Sequence, residues 1–467
     1  MNVDVARLCE SVREAGGRAM LVGGTVRDRL LGIESKDFDI EVYGLEPARL
    51  RTILETLGHV NTVGEHFSVY KLVFYRPSPR TEPSEDSASQ VRFEIDVSLP
   101  RRESKSGRGH RGFVIEGDAS MSFEEAARRR DFTINAILYD PLTDETIDPY
   151  GGREDLARRL LRAVAADTFI EDSLRVLRAV QLAARFEMTI DPATAELCRS
   201  IDLSDLPRER VWVEMEKLLT LAEHPSIGLQ AALELGVLSQ LFPEIRLLVG
   251  CHPEEGGHPS EDAFTHTNHS LDEAAKLAAD LSKPKRITIM LATLCHDLAE
   301  PIASAAAGLA PSEYDKAVVE QTRSILNRLG LHGSGGYDAR SQVLALVREH
   351  RKPREFYRHR DTTSEGDFRR LSQRVDMDLL YRVSTACSRA RGSASSCVAE
   401  EWFIERARAL GVEHGPPPPL LQGRHLIEAG FEPGPQMGKL LRRVYELQLD
   451  GKVTTSDEAL AAAHRMI

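Results

Sequence analysis

The sequence predicts an α+β protein in which a small mixed-sheet head precedes a long all-helical part. Three observations predict this order. Short segments rich in β-branched and aromatic residues, such as "HFSVYKLVFY" and "VRFEIDVSL", occur only before about residue 140. From about residue 153 onward, apolar residues recur at helical spacing in one segment after another. The stiff segment "GPPPPL" at 415–420 then sets off a last helical stretch.

The head begins with a predicted helix over residues 5–15. "RAMLVGG" predicts a short buried strand that runs into a glycine turn, and "DFDIEVYG" predicts a second strand. "EPARLRTILETLG" predicts a helix with Pro47 in its first turn. "HFSVYKLVFY" and "VRFEIDVSL" predict two more strands, and the polar stretch "RPSPRTEPSEDSASQ" between them predicts a mobile loop. "FTINAILYD" is a strand or a short helix, and no strand is expected after it.

Four consecutive segments of the second part have helical periodicity: "REDLARRLLRAV", "EDSLRVLRAVQLAARF", "RERVWVEMEKLLTLA" and "SIGLQAALELGVLSQLF". After the proline linker, "GRHLIEAG" and "GKLLRRVYELQLDGK" predict a helical tail. No internal repeat of about 20–50 residues is found, so a solenoid is not expected.

Composition excludes several classes of protein. The chain has 467 residues, 42% of them hydrophobic, and a net charge of −12, which argues against a non-specific nucleic-acid coat protein. No apolar run approaches the ~18 residues of a membrane span, and the charged N-terminus has no signal-peptide core. The six cysteines form no C-x-x-C pair, so reduced thiols and a cytoplasmic location are expected.

One local stretch is basic although the whole chain is acidic. Between residues 98 and 113 a single acid, Glu103, stands against five basic residues: Arg101, Arg102, Lys105, Arg108 and Arg111. This distribution favours a polyanion held at one site over one spread across the surface.

The segment "LVGGTVRDRLLGIESKDFDIEVYG", residues 21–44, combines a glycine turn with two aspartates. Asp37 and Asp39 are two residues apart in a predicted strand and project to the same side. Such carboxylates repel each other unless a cation such as Mg²⁺ lies between them. Gly23 and Gly24 let phosphate oxygens approach the backbone amides, and Arg27 adds a forked donor. We expect Mg²⁺ and a triphosphate; the alternative is a surface turn with two solvated aspartates.

A two-metal reaction needs a third carboxylate to hold the ion that activates the attacking oxygen. "FEIDVSLPR" offers Asp96 and Glu94 on one face of a predicted strand. Asp96 is preferred because it lies just before the basic stretch, and Glu94 is the competitor.

Eight segments in this order resemble the bacterial class II tRNA nucleotidyltransferases, that is, the CCA-adding enzymes and their poly(A) polymerase relatives. They are residues 21–44, "RRRDFTINAILYD", "DPYGGREDL", "EDSLRVLRAVQLAARF", "RERVWVEMEKLL", the HD-like pair "HPSEDAFTHTNHSLDEAA" and "LATLCHDLAEP", and the tail "GRHLIEAGFEPGPQMGKLLRRVYELQLDG". The resemblance implies a catalytic nucleotidyltransferase head at 1–140, a nucleotide-selecting neck at 141–205, an RNA-binding body at 206–260, an HD-like domain at 261–392, and a linker with helical tail at 393–467.

The resemblance also implies roles for residues of the head. Asp37 and Asp39 would bind two Mg²⁺ ions, and Asp96 would help to position the RNA 3′-hydroxyl. The triphosphate would be contacted by Gly24, Arg27 and Arg130, and the ribose 2′-hydroxyl by Asp131 and Asn135. The basic stretch at 101–111 resembles the family's flexible loop near the active site; the alternative is a solvated arm.

Asp172 and Arg175 are three residues apart on a predicted helix and are neighbours on one face. An aspartate accepts hydrogen bonds and an arginine donates them. The pair therefore suits cytosine and adenine, each of which presents an amine beside a ring-nitrogen acceptor, and it mismatches guanine and uracil. Arg178 extends this face, and Gln181 is a weaker contact because some relatives have an arginine there. The alternative is an ordinary salt bridge on a solvated helix.

In the HD-like segment, His266 and the pair His296–Asp297 match metal ligands of HD hydrolases, and His350 is a plausible later one. No histidine occurs between residues 301 and 330, and Cys387 aligns with the final aspartate. The loss of two ligands predicts a vestigial metal site, because the number of ligands determines the affinity for a divalent metal ion. A helical packing and RNA-support domain is therefore expected.

The predicted activity is addition of CCA to the 3′ end of tRNA from CTP and ATP, with the tRNA acceptor end as partner and no obligate protein partner. The alternatives are poly(A) addition, or addition of only CC or A, by the same chemistry. "VGEHFSVYKL" lacks the basic pair typical of poly(A) polymerases, which favours tRNA. The three carboxylates argue against an idle RNA-binding protein, and the missing HD ligands argue against a phosphodiesterase as main activity.

Overall fold

The computed structural model describes residues 3–34, 37–62, 69–77, 90–105, 113–252, 261–306, 308–331, 336–392 and 397–466. The chain divides into two compact units. The first unit comprises Met1–Pro207 with Glu234–Gly236, and the second comprises Arg208–Leu233 with Val237–Ile467. The first unit contains the strands and the second is helical, which agrees with the predicted α+β order.

The first unit is built on a seven-stranded mixed sheet, in the order β3-β4-β5-β2-β1-β8-β9. Two-stranded ladders join β6 to β7 and β10 to β11. The strands are β1 Arg18–Leu21, β2 Phe38–Tyr43, β3 His59–Thr62, β4 Val69–Pro77, β5 Gln90–Ser98, β6 Arg101–Lys105, β7 Phe113–Gly117, β8 Leu138–Asp140, β9 Glu145–Ile147, β10 Leu160–Leu161 and β11 Thr189–Ile190.

The central pair of the sheet, β2 and β5, is parallel, whereas β2 pairs with β1 and β5 with β4 in antiparallel fashion. In both central strands the side chains alternate between the two faces of the sheet. Those on one face, Ile40, Val42, Ile95 and Val97, are buried in one core. Because side chains alternate along a strand, the acidic residues between them share the opposite face. The sheet thereby brings acidic positions of two distant segments side by side.

Helices cover the sheet and continue into the rest of the first unit: α1 Val3–Glu14, α2 Gly24–Leu30, α3 Pro47–Leu57, α4 Phe123–Arg128, α5 Gly152–Ala157, α6 Ala166–Phe169, α7 Leu174–Phe186 and α8 Pro192–Ser200. A 3₁₀ turn spans Thr133–Asn135. Apolar residues of α1 and α3 pack on the core side of β2 and β5. A second cluster around Met20 and Tyr43 includes residues of α4 and β8.

The second unit contains sixteen helices among the residues described: α9 Arg208–Leu221, α10 Pro225–Glu234, α11 Val237–Leu241, α12 Pro243–Arg246, α13 Ala263–Leu277, α14 Lys283–Cys295, α15 Glu300–Ala305, α16 Pro311–Arg328, α17 Ala339–Glu349, α18 Lys352–Arg358, α19 Glu365–Ser372, α20 Met377–Ala390, α21 Val398–Ala409, α22 Gly423–Glu428, α23 Pro435–Leu449 and α24 Ser456–His464. Aspartate side chains accept from backbone N–H groups at the starts of α13, α17 and α20. Such caps stabilise a helix by satisfying its first amides.

Three predicted boundaries were wrong. Strands do not stop at residue 140, because β9, β10 and β11 follow. The segment "REDLARRLLRAV" is a short helix, α5, followed by β10 instead of one long helix. Helix α7 begins at Leu174, so Asp172 lies before it, and the carboxylate of Asp172 accepts from the Leu174 amide. At Arg159 a positive φ of 53° precedes β10, and at Asp172 the side chain bonds a backbone amide two residues on, which competes with helix formation.

The basic stretch is part of an antiparallel hairpin, since Arg101–Lys105 pairs with Phe113–Gly117. Arg102 and Lys105 are therefore on a strand, which differs from the predicted loop. Arg108 and Arg111 lie outside the described residues, as do residues 78–89 of the predicted mobile loop.

Across the described residues, none of the helices has the length and apolar character needed to span a bilayer.

Candidate functional site

The glycine turn after β1 opens the site. Gly23 has a φ of +67°, which favours glycine, and a Cβ built there would lie 3.4 Å from Arg130 Nη1 and 3.6 Å from Asp39 Oδ2. A Cβ at Gly24 would lie 3.2 Å from Arg27 Nη2. The missing side chains therefore leave a small space bounded by an aspartate and two arginines, close to backbone amides.

The sheet register places Asp96 directly opposite Asp39 on the parallel strands β2 and β5. Desolvation by the surrounding protein raises the pKa of Asp39, although the residue retains solvent access, and the carboxylates of Asp96 and Asp37 raise it further. Asp96 Oδ1 is buried without a hydrogen-bond partner. Lys71 Nζ is 3.3 Å from this oxygen, which is an ion-pair distance without hydrogen-bond geometry. The cluster thus repels itself and favours a bound cation.

Glu94, the alternative to Asp96, lies two residues before it on β5 and does not pair with Asp39. Its carboxylate forms ion pairs with Arg92 and, at 3.6 Å, with Lys71. The structure therefore brings Asp96, and not Glu94, next to Asp39, and the role of Asp96 as the third carboxylate stays a prediction.

A buried carboxylate that the sequence analysis did not single out lies on the same strand. Glu41 is 1% exposed, and its oxygens are 2.8 Å from Arg129 Nη2 and 3.3 Å from Arg130 Nη2. The hydroxyl of Tyr43 donates to it at 2.8 Å. Burial alone would raise the pKa of Glu41, but Arg130 and Arg129 lower it, so the group is anionic. Its i+2 spacing from Asp39 was a signal for this shared face.

The predicted ribose residues form a buried chain of hydrogen bonds. Asp131 Oδ1 accepts from Asn135 Nδ2 at 3.0 Å, and Asp131 Oδ2 accepts from Arg178 Nε at 2.6 Å. Asn135 Oδ1 accepts from Arg27 Nη1 at 2.8 Å. Burial would raise the pKa of Asp131, but Arg178 and Asn135 lower it. The chain fixes the orientation of both predicted ribose contacts.

The side chain of Arg27 is buried among other side chains of the head. It is 4% exposed, and its Nε and Nη2 both donate to Asp28 Oδ1 at 2.9 and 2.6 Å. Its guanidinium carbon also lies 4.3 Å from the ring centre of Phe186. Arg27 therefore holds Asn135 while its Nη2 also borders the space beside Gly24, and its contact with a triphosphate stays a prediction.

Helix α7 carries three of the predicted base-selecting residues, Arg175, Arg178 and Gln181. Arg175 donates from Nη1 to the Thr168 carbonyl at 2.8 Å and from Nη2 to the Arg129 carbonyl at 2.5 Å. Gln181 is 3% exposed, and its Nε2 has no hydrogen-bond partner. The solvated-salt-bridge alternative is wrong for Arg175, because its guanidinium bonds backbone carbonyls of the head and of α6.

In the second unit, the HD-like residues converge from four helices. The ligand atoms of His266, His296 and Cys387 all lie within 4.8 Å of one another. His296 Nε2 is 3.0 Å from Asp297 Oδ2, and the rings of His296 and His350 are 5.5 Å apart. The HD-like residues that the sequence predicted are thus brought together, with Cys387 among them.

Burial sets the protonation of these histidines. It lowers the pKa of His266 to about 3 and that of His350 to about 3, so both imidazoles are neutral near pH 7. Burial alone would lower the pKa of His296 as well, but the neighbouring Asp297 carboxylate raises it well above its ordinary value. Neutral imidazoles are the form that binds metal ions.

Comparison with known proteins places these features in a family. Residues 19–162 match the family described as "Poly A polymerase head domain", and residues 187–248 match "Probable RNA and SrmB- binding site of polymerase A". The multifunctional CCA protein of Xanthomonas campestris pv. campestris is 33% identical over 437 residues, covering 90% of this chain and 95% of the relative. That of Stenotrophomonas maltophilia is 36% identical over 352 residues, covering 73% and 78%.

Solved structures share the fold. The Bacillus stearothermophilus CCA-adding enzyme in complex with CTP has a TM-score of 0.65 at 20% identity, covering 100% of this chain and 98% of that one. The Thermotoga maritima CCA-adding enzyme in complex with tRNA-CCA has a TM-score of 0.60 at 19% identity, covering 100% and 96%.

The mixed-sheet head and its facing carboxylates define the class of protein as a nucleotidyltransferase. Enzymes of this class generally use divalent metal ions. The match to curated relatives over nearly their whole length specifies the group within that class. The chain belongs to the family of CCA-adding tRNA nucleotidyltransferases, which shares its head domain with poly(A) polymerases.

Proposed function

We propose that this enzyme adds CCA to the 3′ end of tRNA without a nucleic-acid template, taking nucleotides from CTP and ATP and releasing pyrophosphate. The observation that supports this most directly is the pairing of Asp39 with Asp96 across β2 and β5, beside the turn at Gly23 and the guanidinium of Arg130. The relatives that match over most of their length are named multifunctional CCA proteins.

Asp37, Asp39 and Asp96 are proposed to hold two Mg²⁺ ions. The residues fit such a group, since Asp96 Oδ1 is buried without a hydrogen-bond partner and the pKa of Asp39 is raised by desolvation and neighbouring carboxylates. Carboxylate oxygens are the ligands that Mg²⁺ prefers. When bound, the ions would neutralise charge on the attacking and leaving oxygens. Asp96 is proposed to help position the RNA 3′-hydroxyl.

Arg130 and the backbone amides of Gly23 and Gly24 are proposed to bind the triphosphate. Arg130 Nε is buried without a hydrogen-bond partner, whereas its Nη2 is fixed by Glu41. One part of the guanidinium is therefore anchored and another remains available to an anion. Positioning of the reacting groups in this way accounts for much of the rate enhancement in nucleotidyl transfer.

Asp131 and Asn135 are proposed to read the ribose 2′-hydroxyl, held in place by Arg178 and Arg27. A 2′-hydroxyl both donates and accepts, so a carboxylate and an amide suit it. This pairing would disfavour deoxynucleotides, which lack the group.

Asp172 and Arg175 are proposed to select cytosine and adenine, with Arg178 and Gln181 at the same face of α7. The unpartnered Nε2 of Gln181 offers a further donor there. Each buried mismatch with guanine or uracil would cost ~1–3 kcal/mol. One or two mismatches would give about 10²- to 10⁴-fold rejection.

RNA binding is assigned to the basic stretch 101–111 and to the second unit. In the proposed division, residues 1–140 are catalytic, 141–205 select the nucleotide, 206–260 bind RNA, 261–392 form the HD-like domain, and 393–467 form the linker and tail. We further propose a cytoplasmic location, with the tRNA acceptor end as partner and no obligate protein partner.

The second candidate activity is poly(A) addition or addition of only CC or A, favoured by the shared head domain.

The test uses purified protein, Mg²⁺, and tRNA transcripts that lack CCA, lack only the terminal A, or are complete, with each nucleotide singly and mixed. CTP and ATP together should complete the first transcript, ATP alone the second, and the third should stay unchanged. Long tails of A on unrelated RNA would instead indicate the second activity.

Substitution distinguishes the carboxylates. D39N and D96N should each lower incorporation about 100-fold or more, because a site for transition-state charge is lost. E94Q is the matched control and should retain activity, since Glu94 pairs with Arg92 and Lys71. Thermal melting should show D39N folded, because the substitution removes carboxylate repulsion. Equal losses in E94Q and D96N would contradict the assignment of Asp96.

A further inference from the structure

A buried carboxylate in the segment "DPYGGREDL" has no part in the nucleotide contacts proposed for the head. Asp155, on α5, is 5% exposed. Its Oδ2 accepts from Thr133 Oγ1 at 2.7 Å and from Arg162 Nε at 3.1 Å, and its Oδ1 accepts from Arg162 Nη2 at 3.3 Å. Thr133 is the first residue of the 3₁₀ turn that ends at Asn135. One carboxylate thus connects this turn to the segment that follows β10.

The backbone just before the turn is held by the same segment. Residues 131–133 and 162–164 form two backbone hydrogen bonds, of 2.9 and 3.2 Å, around an antiparallel bridge. Asp131 lies in this short ladder, and Asn135 lies two residues beyond it. The contact with Asp155 adds a side-chain restraint at the point where the ladder ends and the turn begins. Both residues that we propose to contact the ribose are therefore adjacent to the region that Asp155 holds.

The two donors to Asp155 differ in how firmly they are placed. Thr133 is buried, whereas the side chain of Arg162 is partly exposed. A buried carboxylate that loses a donor bears a desolvation cost that its remaining partner must offset. Without the Thr133 hydroxyl, the Asp155 carboxylate would be paired with Arg162 alone. The side-chain restraint on the start of the turn would then be lost.

We propose that Asp155 is a positioning residue for recognition of the ribose 2′-hydroxyl, and that it acts through the hydroxyl of Thr133. The proposal rests on the ribose contacts proposed for Asp131 and Asn135. Because Asp155 holds the turn, Asn135 keeps the position it needs to bond the 2′-hydroxyl. A displaced turn weakens this bond to a ribonucleotide, whereas a deoxyribonucleotide makes no such bond. Loss of the restraint therefore lowers the selectivity for the sugar.

The test measures kcat/KM for CTP and dCTP with the full-length protein, Mg²⁺ and a tRNA transcript that lacks CCA. T133V removes the hydroxyl at nearly constant side-chain shape, and D155N removes the charge at constant size. Each should lower the CTP/dCTP ratio of kcat/KM at least about tenfold, because a misplacement of about 1 Å costs about 100-fold. The fall should come from CTP, with dCTP near its wild-type value. T133S keeps the hydroxyl and should retain the wild-type ratio.

T194V is the matched control. Thr194 is 1% exposed, and its Oγ1 accepts from the Ala163 amide at 2.9 Å. That amide points away from residues 131–133, because successive amides of an extended segment face opposite sides. T194V therefore loosens the segment 162–164 without removing a bond to the turn, and its CTP/dCTP ratio should stay near the wild-type value. Thermal melting checks that each variant is folded.

Two results would overturn the inference. One is an equal loss of kcat/KM for CTP and dCTP in T133V, as expected of a purely structural role. The other is a fall of the ratio in T194V as large as in T133V. If T133V or D155N is unfolded, the other variant decides. Failure of the proposed function gives a different result: a wild-type enzyme that uses CTP and dCTP equally would refute the ribose contacts of Asp131 and Asn135 themselves.

Discussion

At the scale of single residues, the site depends on carboxylates in two different states. Asp39, Asp96 and Asp37 repel one another, and the pKa of Asp39 is raised by desolvation and by these neighbours. Glu41 lies two residues along the same strand but is matched by two arginines, which lower its pKa. Alternate residues of one strand thus provide the carboxylate that we propose to bind a cation, Asp39, and a fixed anion that holds Arg130, Glu41.

The substitution E41Q tests this orientation. It retains the shape of the side chain but removes the charge that holds Arg129 and Arg130, so we expect kcat/KM for CTP and ATP to fall about 10- to 100-fold, from a loss of ~1.5–3 kcal/mol. Y43F is the matched control, because it removes only a neutral donor to Glu41 and should have a smaller effect. Steady-state kinetics at saturating tRNA provides the measurement. An unchanged E41Q enzyme would show that Arg130 needs no such support.

The pair Asp131–Arg178 predicts a pH dependence of stability. In the folded protein the pKa of Asp131 is lowered from its ordinary value of 3.8. The stabilisation of the folded state by the Asp131 carboxylate is therefore complete above pH 3.8, and it is lost as the pH falls through the lower pKa of the folded state. D131N should therefore reduce the free energy of unfolding by ~1–3 kcal/mol near pH 7, and the difference from wild type should shrink below pH about 4. Urea unfolding of both proteins between pH 3 and 7 would measure it. A difference that grows toward low pH would contradict the direction.

At the scale of elements, the position of Asn135 depends on the contact between α5 and the preceding 3₁₀ turn. A Cβ at Gly152, the first residue of α5, would lie only 2.1 Å from the Thr133 carbonyl oxygen and 2.8 Å from Ile137 Cγ1. The helix can approach the turn this closely only because residue 152 has no side chain.

G152A should push this turn away from α5. We expect a loss of ~1–3 kcal/mol in the free energy of unfolding together with a higher KM for the nucleotide, because Asn135 lies in the displaced turn. G151A is the control: its Cβ would meet nothing within 4 Å, although its φ of +69° costs ~1–2 kcal/mol. The control should lose stability while its KM stays near the wild-type value. Equal KM values for G152A and wild type would exclude a role of this contact in nucleotide binding.

At the scale of the whole molecule, the two candidate sites lie in different compact units. The carboxylates of the head belong to Met1–Pro207, whereas His266, His296 and Cys387 belong to the second unit. Sites that share no contacting residues usually respond to substitution independently.

Independence of the units gives a prediction for the paired variants. D39N should abolish most incorporation, whereas C387S, in the other unit, should leave incorporation near the wild-type value. The double variant should lose no more incorporation than D39N does. Incorporation assays on the same four protein preparations would test this. Loss of incorporation in C387S would instead reveal coupling between the HD-like cluster and nucleotide transfer.

Local periodicity in the sequence was sufficient to predict β1, β2, β4 and β5 of the head and the helical second part. Asp37 lies just before β2, so its common side with Asp39 stays a prediction. Alternation along "FEIDVSL" left Asp96 and Glu94 as candidates for the third carboxylate, and the strand register then set Asp96 opposite Asp39. Such features depend on near neighbours in the chain, whose spacing fixes the direction of each side chain. The family resemblance added the order of the segments.

Only the tertiary structure decided which distant side chains meet. It set Asp96 opposite Asp39, buried Glu41 against Arg129 and Arg130, and brought Cys387 to the histidines of α13 and α14. The reason is physical: strand register and helix packing are determined by complementary burial across many residues, and no short window of sequence contains that information.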